Sequence, residues 1–253
     1  AHDPLYGGYM LSIATITRFY IGQSMTDVLR AHERVVDHCS PYQLDTVVAF
    51  TEPFAGAAAA LAGQTSGLTD LDCSAFNLAR FTEQNSSMPM VMGLLRGAQI
   101  PLLGLAGSHD EVLRLAGDPS LAVSPPFVPH VVVAFWRGAA AAALARTAEG
   151  ERREQLIAVL ETSRAFLDDI ARYASPENVA HRLAFLEANR ARLAGDNAAA
   201  LSRYRRAWQL AEPLPDDPHT AHVPPFLFSA PAPTMATLLD RGLSKPTGFA
   251  LPL

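Results

Sequence analysis

Residues 193–212, LAGDNAAALSRYRRAWQLAE, contain a helix end, a tight turn and a new helix start in close succession. Gly195 follows an apolar run, and glycine readily adopts the left-handed backbone conformation in which many helices end. Asp196 then offers a carboxylate that can accept hydrogen bonds from the first N–H groups of the next helix. Ala200 and Tyr204 follow with the spacing of one helix face. The stretch therefore predicts a helix, a glycine turn and a second helix.

The same glycine turn recurs along the chain. Five glycines follow a similar short apolar or Ala-rich run: Gly22, Gly63, Gly107, Gly150 and Gly195. They are separated by 41, 44, 43 and 45 residues. Three of them precede residues that can start a helix, at Gln23-Ser24, Ser108-His109 and Asp196-Asn197. Because a period of this length is typical of helical solenoids, the sequence predicts an all-α, right-handed superhelical stack of about five helix pairs over residues 3–212.

Hydrophobic periodicity supports helices between the glycine turns. One segment repeats apolar or small residues along a single helix face, at Leu156, Leu160, Ser163, Leu167 and Ile170. The next segment has the same spacing at Val179, Leu183, Leu186, Arg190 and Leu193. Residues 131–145 are apolar on nearly every side, which predicts a central, buried helix. In the last helix, we expect Tyr204 and Trp208 to fill the groove between helix pairs.

Three regions depart from the repeat. Residues 65–85 form its weakest copy and predict a loop followed by a short helix over residues 73–81. Pro53 and Pro101 fall inside helical patterns, where proline kinks or breaks a helix. Residues 213–253 contain 9 prolines in 41 residues, with little periodicity, which predicts an irregular tail that is extended or disordered.

No motif for catalysis or cofactor binding stands out. Lys245 is the only lysine, and its position near the end of the chain excludes a phosphate-binding loop and a kinase-type strand lysine. Neither a C-x-x-C nor a G-x-S-x-G motif is present. Glu177 and His181 lie four residues apart and predict a surface ion pair rather than a metal site. We therefore expect a protein that is not an enzyme and has no cofactor and no metal.

Other features bear on the cellular compartment. Two lone cysteines, Cys39 and Cys73, suit a reducing cytoplasm. The apolar stretch 128–145 is interrupted by Pro129 and Arg137, which makes it a poor membrane span. The N-terminus lacks both a signal-peptide pattern and an initiator Met. These features predict a cytoplasmic protein, and the missing Met is what an excised piece of a longer chain would show.

Charge is distributed unevenly along the chain. The net charge of −5 argues against wholesale nucleic-acid binding. The densest basic stretch supplies one candidate partner surface, formed by Arg190, Arg192, Arg203, Arg205 and Arg206. Helical-repeat proteins bind partners on such surfaces. The alternative is that these arginines form a solvated helix face with no partner.

The last repeat resembles the second half of a tetratricopeptide unit. The matching residues are Gly195, Asp196, Ala200, Tyr204 and Ala207. The first half departs from that pattern, since Ala184 and Glu187 stand where a large aromatic residue and a Leu are usual. The resemblance implies a tetratricopeptide-like α-solenoid.

A longer resemblance covers residues 3–212. Its ordered segments are DPLYGGYM (3–10) with RFYIGQSM (18–25), AALAGQTSGLTDLDCSAFN (59–77) and SPENVAHRLAFLEANRARLAGDNAAALSRYRRAWQLA (175–211). Together they resemble the helical-repeat region of very large bacterial signalling proteins. In that family, a serine/threonine-kinase-like domain and an AAA/STAND-type ATPase precede the repeats, and a GAF domain and a sensor histidine kinase usually follow them. The Pro-rich tail replaces the helices that continue toward the GAF domain.

The longer resemblance implies a role in signalling rather than a reaction. No kinase, ATPase or histidine-kinase motif is present, so no active-site residue of the family can be assigned here. The implied function is a non-catalytic interaction or regulatory solenoid that contacts a protein partner or neighbouring domains of the same polypeptide. The alternative is a stand-alone sensor that binds a peptide or small effector, as in bacterial transcription activators. A concave groove lined by aromatic and Arg side chains would favour that alternative.

Overall fold

The computed structural model describes residues 3–123, 128–174 and 176–211. Over these residues it contains eleven α-helices: α1 (Pro4–Ile21), α2 (Met25–Cys39), α3 (Asp45–Ala49), α4 (Glu52–Leu61), α5 (Leu78–Asn85), α6 (Pro89–Leu105), α7 (His109–Ala116), α8 (Val128–Ala145), α9 (Gly150–Tyr173), α10 (Pro176–Leu193) and α11 (Asn197–Ala211). Short 3₁₀ turns cover Ser40–Tyr42 and Pro119–Val123. The described residues form no β-strand beyond a single bridge between Cys73 and Phe76. The all-α prediction is confirmed, whereas the predicted tail lies outside the described residues.

Helices pack mainly against their neighbours in the chain. The helices α1 and α2, α6 and α7, α8 and α9, and α10 and α11 lie against one another. A second set of contacts joins alternate helices, because α2 packs on α4, α4 on α6, α6 on α8 and α8 on α10. Successive helix pairs are therefore in direct contact from α1 to α11.

Four helices end in the same glycine turn, as the repeat predicts. The backbone φ angles of Gly22, Gly63, Gly107 and Gly195 lie between +71° and +82°, where only glycine is unstrained. In each case the N–H of the next residue donates to the carbonyl five positions earlier, at 2.9–3.0 Å. This 6→1 bond satisfies a carbonyl that the helix end would leave free.

Gly150 is the exception among the repeated glycines. Its φ angle is also positive, at +54°, but it is the first residue of α9 rather than the end of α8. The prediction that a helical pattern stops at Gly150 is therefore wrong by several residues, because α8 already ends at Ala145.

Two of the three predicted helix starts have a side-chain cap. The Ser24 hydroxyl oxygen accepts a hydrogen bond from the Asp27 N–H at 3.2 Å, and the Asp196 carboxylate accepts one from the Ala199 N–H at 2.9 Å. Ser108 occupies the capping position of α7, but its side chain makes no capping bond.

The helix α8 occupies the centre of the packing. Its side chains Val132, Phe135, Trp136 and Ala140 are buried, and it contacts α6, α7, α9 and α10. This confirms the prediction of a central, buried helix over residues 131–145. Gly104 of α6 leaves the space that the Trp136 indole occupies, so the two helices approach closely there.

A single buried face was predicted for both α9 and α10, but only α9 has one. In α9, Leu156, Leu160, Ser163 and Leu167 are buried, which confirms the stripe. In α10, buried residues lie on more than one side, because the helix is packed between α8, α9 and α11. Arg190 is exposed rather than part of the buried stripe.

The short helix in residues 65–85 begins later than predicted, because capping hydrogen bonds fix its first residue. The short helix expected over residues 73–81 instead begins at Leu78 as α5. The Asn77 side-chain oxygen accepts from the Arg80 N–H at 3.0 Å, and the Asp72 carboxylate accepts from the Leu78 N–H at 2.7 Å. These two bonds fix the start of α5, and residues 73–76 form a tight turn before it.

The two prolines predicted to disturb helices behave differently. Pro53 lies in the first turn of α4, where its missing N–H has no partner to lose, so it does not break the helix. Pro101 does lie inside a helix, but α6 continues past it to Leu105.

Candidate interaction surface

The helix α11 is held against α10 by one buried side of its surface. Ala200, Tyr204 and Ala207 are buried there. The Tyr204 hydroxyl donates to the Asn189 side-chain oxygen at 3.0 Å, and its ring packs against Phe185 with centroids 5.5 Å apart. These contacts fix the rotation of α11 and therefore decide which of its side chains face outward.

The outward side of α11 carries a shallow groove of about 550 Å³. We call it the α11 groove, and it is lined by Ala198, Leu201, Ser202, Arg205, Arg206 and Gln209. It combines two guanidinium groups, two apolar side chains and two further polar side chains. An arginine fork matches the geometry of a carboxylate, so the groove has the chemistry to bind an acidic segment that also offers an apolar side chain.

The guanidinium groups of this helix have no counter-charge in the described part of the chain. Arg203, Arg205 and Arg206 are exposed, and none of them forms an ion pair with a residue that the structure describes. Arg203 is on the same helix but does not line the α11 groove.

The other two arginines of the predicted surface lie elsewhere. The Arg190 Nε is 2.9 Å from a carboxylate oxygen of Glu161, and the other oxygen of the same carboxylate accepts from Arg164. Arg192 is half-buried beside Tyr204. Burial raises the pKa of the Tyr204 phenol, and the Arg192 charge opposes that rise. The structure thus brings together Arg205 and Arg206 and separates Arg190 and Arg192 from them.

Trp208 does not fill an interhelical groove, contrary to the prediction for the last helix. Its side chain is 42% exposed, whereas Tyr204 is buried as predicted. The reason is that α11 is the last described helix, so no further described helix packs against its outer side.

A second cavity, of about 220 Å³, lies beside α6 and α7. It is lined by Thr69, Leu71, Arg96, Gln99, Leu102, Leu103, Glu111, Arg114 and Leu115. Its charges are already paired, since Arg96 lies 2.8 Å from Asp118 and Arg114 forms an ion pair with Glu111. The Arg114 guanidinium also holds the pKa of the Glu111 carboxyl below its ordinary value. Sequence reasoning missed this cavity, because its lining comes from a loop and two helices that only the fold brings together.

Two histidines are core residues. The His32 Nδ1 lies 2.9 Å from the Thr51 hydroxyl, and burial lowers the pKa of this imidazole to about 4. Burial also lowers the pKa of His181 to about 3, with a smaller contribution from the charge of Arg182. The prediction placed His181 on the surface, and this position is wrong because the side chain is buried.

Among the residues that the structure describes, no group of three or more His, Cys, Asp or Glu side chains is arranged to hold a metal ion. In the same residues, no helix combines the length and the apolar character that a membrane crossing requires.

Comparison with known proteins finds no matching protein family, no matching curated protein and no matching solved structure. The residues of the chain itself therefore carry the functional proposal.

Proposed function

We propose that this protein is a non-catalytic interaction or regulatory module that docks an acidic segment through the α11 groove. The segment would belong to a protein partner or to a neighbouring domain of the same polypeptide. The observation that carries the proposal is the pair Arg205 and Arg206, two exposed guanidinium groups beside Leu201 without an ion-pair partner among the described residues. In context, the chain would be a cytoplasmic fragment or relative of the helical-repeat linker in a bacterial kinase/ATPase signalling protein.

The packing of the helices supports a tetratricopeptide-like solenoid. Four pairs of helices lie against one another, α1/α2, α6/α7, α8/α9 and α10/α11, and α4 packs between the first two of these pairs. Contacts between alternate helices connect each pair to the next. In a solenoid each repeat contacts only its neighbours, and the exposed surfaces of the stack are used for binding.

Charge and shape support an acidic occupant for the α11 groove. Exposed arginines without partners attract carboxylates, and that attraction weakens as salt screens it. Leu201 lets an apolar side chain of the occupant add contact area between the charges. An acidic amphipathic segment satisfies both features, whereas a basic segment lacks the carboxylates and a wholly polar segment lacks the apolar side chain.

The test is the binding of a labelled acidic amphipathic peptide of Glu and Leu, measured by fluorescence anisotropy at low and high salt. We expect Arg205→Glu with Arg206→Glu to weaken binding about 100-fold, because two attractive contacts become repulsive. The matched control is Arg30→Glu with Arg34→Glu, the same charge change on exposed residues of α2. Equal loss of binding in both variants would show a general charge effect and would contradict a specific site.

The alternative function, a sensor of small effectors, rests on the cavity beside α6 and α7. Arg96 and Gln99 line it and could orient an anionic ligand. Two features favour the docking proposal over it. The cavity volume of about 220 Å³ is below the range of roughly 300–1,000 Å³ for ligand pockets, and both arginines already have carboxylate partners. A rise in melting temperature with a panel of small carboxylates, abolished by Arg96→Met, would favour the sensor instead.

A further inference from the structure

The first helix presents a large apolar surface to solvent. Its side chains Leu5, Tyr6, Tyr9, Met10 and Ile13 are between 37% and 65% exposed, and we call them the α1 face. They follow the helical spacing of one side over the N-terminal two-thirds of α1. Further along the helix Ile16, Phe19 and Tyr20 are buried, and the last residue, Ile21, is 40% exposed.

The α1 face is not the result of a loosely attached helix. The Ser12 hydroxyl shares its proton between the Gly8 carbonyl oxygen of its own helix, at 2.9 Å, and the Val47 carbonyl oxygen, at 3.2 Å. The His38 Nε2 lies 2.9 Å from the Pro4 carbonyl oxygen. Gly8 packs so closely on Cys39 and Val47 that a Cβ atom at that position would be crowded by both. The inner side of α1 is therefore fixed on α2 and α3, and the α1 face points away from them.

The α1 face carries no charge. Between Pro4 and Thr17 the helix has no Asp, Glu, Lys or Arg. At about 200 Å² for a large side chain, the exposed fractions amount to roughly 450–500 Å² of mainly apolar surface. Patches of this size on a single chain often mark an interaction site.

We propose that the α1 face is the contact between two copies of this chain, with α1 of one copy lying against α1 of the other. An uncharged surface can face its own copy without like-charge repulsion, and a two-fold contact needs just such a self-complementary patch. Two α1 faces together bury roughly 900–1,000 Å², which is at the lower limit of about 1,000 Å² for a specific interface and fits a dimer that forms only as concentration rises.

The outer side of α11 is a poor counterpart for the α1 face. A head-to-tail contact would place Arg203, Arg205 and Arg206 against an uncharged surface. Their guanidinium groups would lose water and gain no carboxylate in return, which costs free energy. The two-fold arrangement leaves these arginines in solvent and leaves the α11 groove open.

The experiment is sedimentation equilibrium of the full 253-residue chain over a wide concentration range. We expect the mass to rise from that of one chain, 27.1 kDa, to twice that value as concentration increases. Tyr6→Glu should weaken the dimer about 100-fold or more, because each contact gains two carboxylates that face one another across an apolar surface. Tyr173→Glu is the matched control, since Tyr173 is also an exposed tyrosine but lies on α9.

Three results would overturn this proposal. One is a chain that stays monomeric at millimolar concentration. Another is a dimer that Tyr173→Glu weakens as much as Tyr6→Glu. The third is a dimer that dissociates when Arg205 and Arg206 are changed to Glu, because that result would place the contact at α11. Circular dichroism of each variant checks that the helices are retained. The first two results leave peptide binding at the α11 groove unaffected, so this proposal and the proposed function can fail separately.

Discussion

The contact between α6 and α8 and the outer side of α11 use small residues in opposite ways. In the interior, Gly104 makes room for the Trp136 ring, and neighbouring side chains are buried. On α11, Ala198 lies exposed beside Arg205 and Arg206. Small residues bring helices together only where another helix covers them, and elsewhere they open space around longer side chains. Stability should therefore reside in the interior, and the arginines of α11 should contribute to binding instead.

The largest effect should follow from filling the space at Gly104. In Gly104→Ala the new Cβ atom would collide with the Trp136 indole, so the helices must move apart or the ring must turn. Overpacking of this kind should lower the free energy of unfolding by about 3 kcal/mol. Urea denaturation followed by circular dichroism measures it.

A matched control exists in the loop before α5. Gly67 is exposed, and a Cβ atom there would meet nothing within 4 Å, so Gly67→Ala should change the free energy of unfolding by less than about 0.5 kcal/mol. Equal changes in the free energy of unfolding for Gly104→Ala and Gly67→Ala would contradict the claim that close packing at Gly104 stabilises the fold.

The second effect concerns pH and the buried His32. Burial lowers its pKa from 6.5 to about 4, so the folded protein binds its proton less readily than the unfolded chain. Stability contributed by the neutral imidazole is therefore complete above pH 6.5 and falls as the pH decreases toward 4. We expect the loss from this group to reach about 2 kcal/mol by about pH 5.

The variant His32→Asn tests this assignment, because its side chain keeps a polar partner for Thr51 but does not titrate. The dependence of its unfolding free energy on pH should be shallower than that of the natural protein over this range. Parallel curves for the two proteins would show that His32 is not responsible.

The third effect on stability concerns the turn that joins α10 to α11. Gly195 has a φ angle of +82°, so Gly195→Ala should cost about 1 kcal/mol of stability through backbone strain. Asp196→Ala should cost about the same through loss of the cap on α11. Asp196→Asn retains a capping oxygen and should remain close to the natural protein in thermal unfolding. A larger loss in Asp196→Asn than in Asp196→Ala would argue against the capping role.

The smallest effect on stability should come from the arginines of the α11 groove. Arg205→Glu with Arg206→Glu removes no ion pair that the structure describes, so the free energy of unfolding should change by no more than about 0.5 kcal/mol. The same variant should lose peptide binding. A loss of several kcal/mol in chemical denaturation would instead place these arginines among the groups that hold the fold.

Local signals in the sequence were enough to predict the turns and the central helix. The glycine turns at Gly22, Gly63, Gly107 and Gly195 and the central position of residues 131–145 both follow from residue type and spacing, whereas Gly150 begins a helix instead of ending one. The start of α5 could not be predicted, because it depends on hydrogen bonds from Asp72 and Asn77 that a periodicity argument does not include. The sequence shows that arginines are dense in this stretch, but it could not show which of them share one surface. Arg190 is set apart because it pairs with Glu161, which lies on another helix.

Hydrogen–deuterium exchange with the acidic Glu/Leu peptide tests the central claim most directly, because it reports where the peptide binds. If the α11 groove is the docking site, adding the peptide should slow exchange in α11, with little change in α6 and α7. The Arg205→Glu, Arg206→Glu variant should show no such protection at the same peptide concentration. Protection confined to α6 and α7, or protection of α11 that survives the charge reversal, would contradict the proposed function.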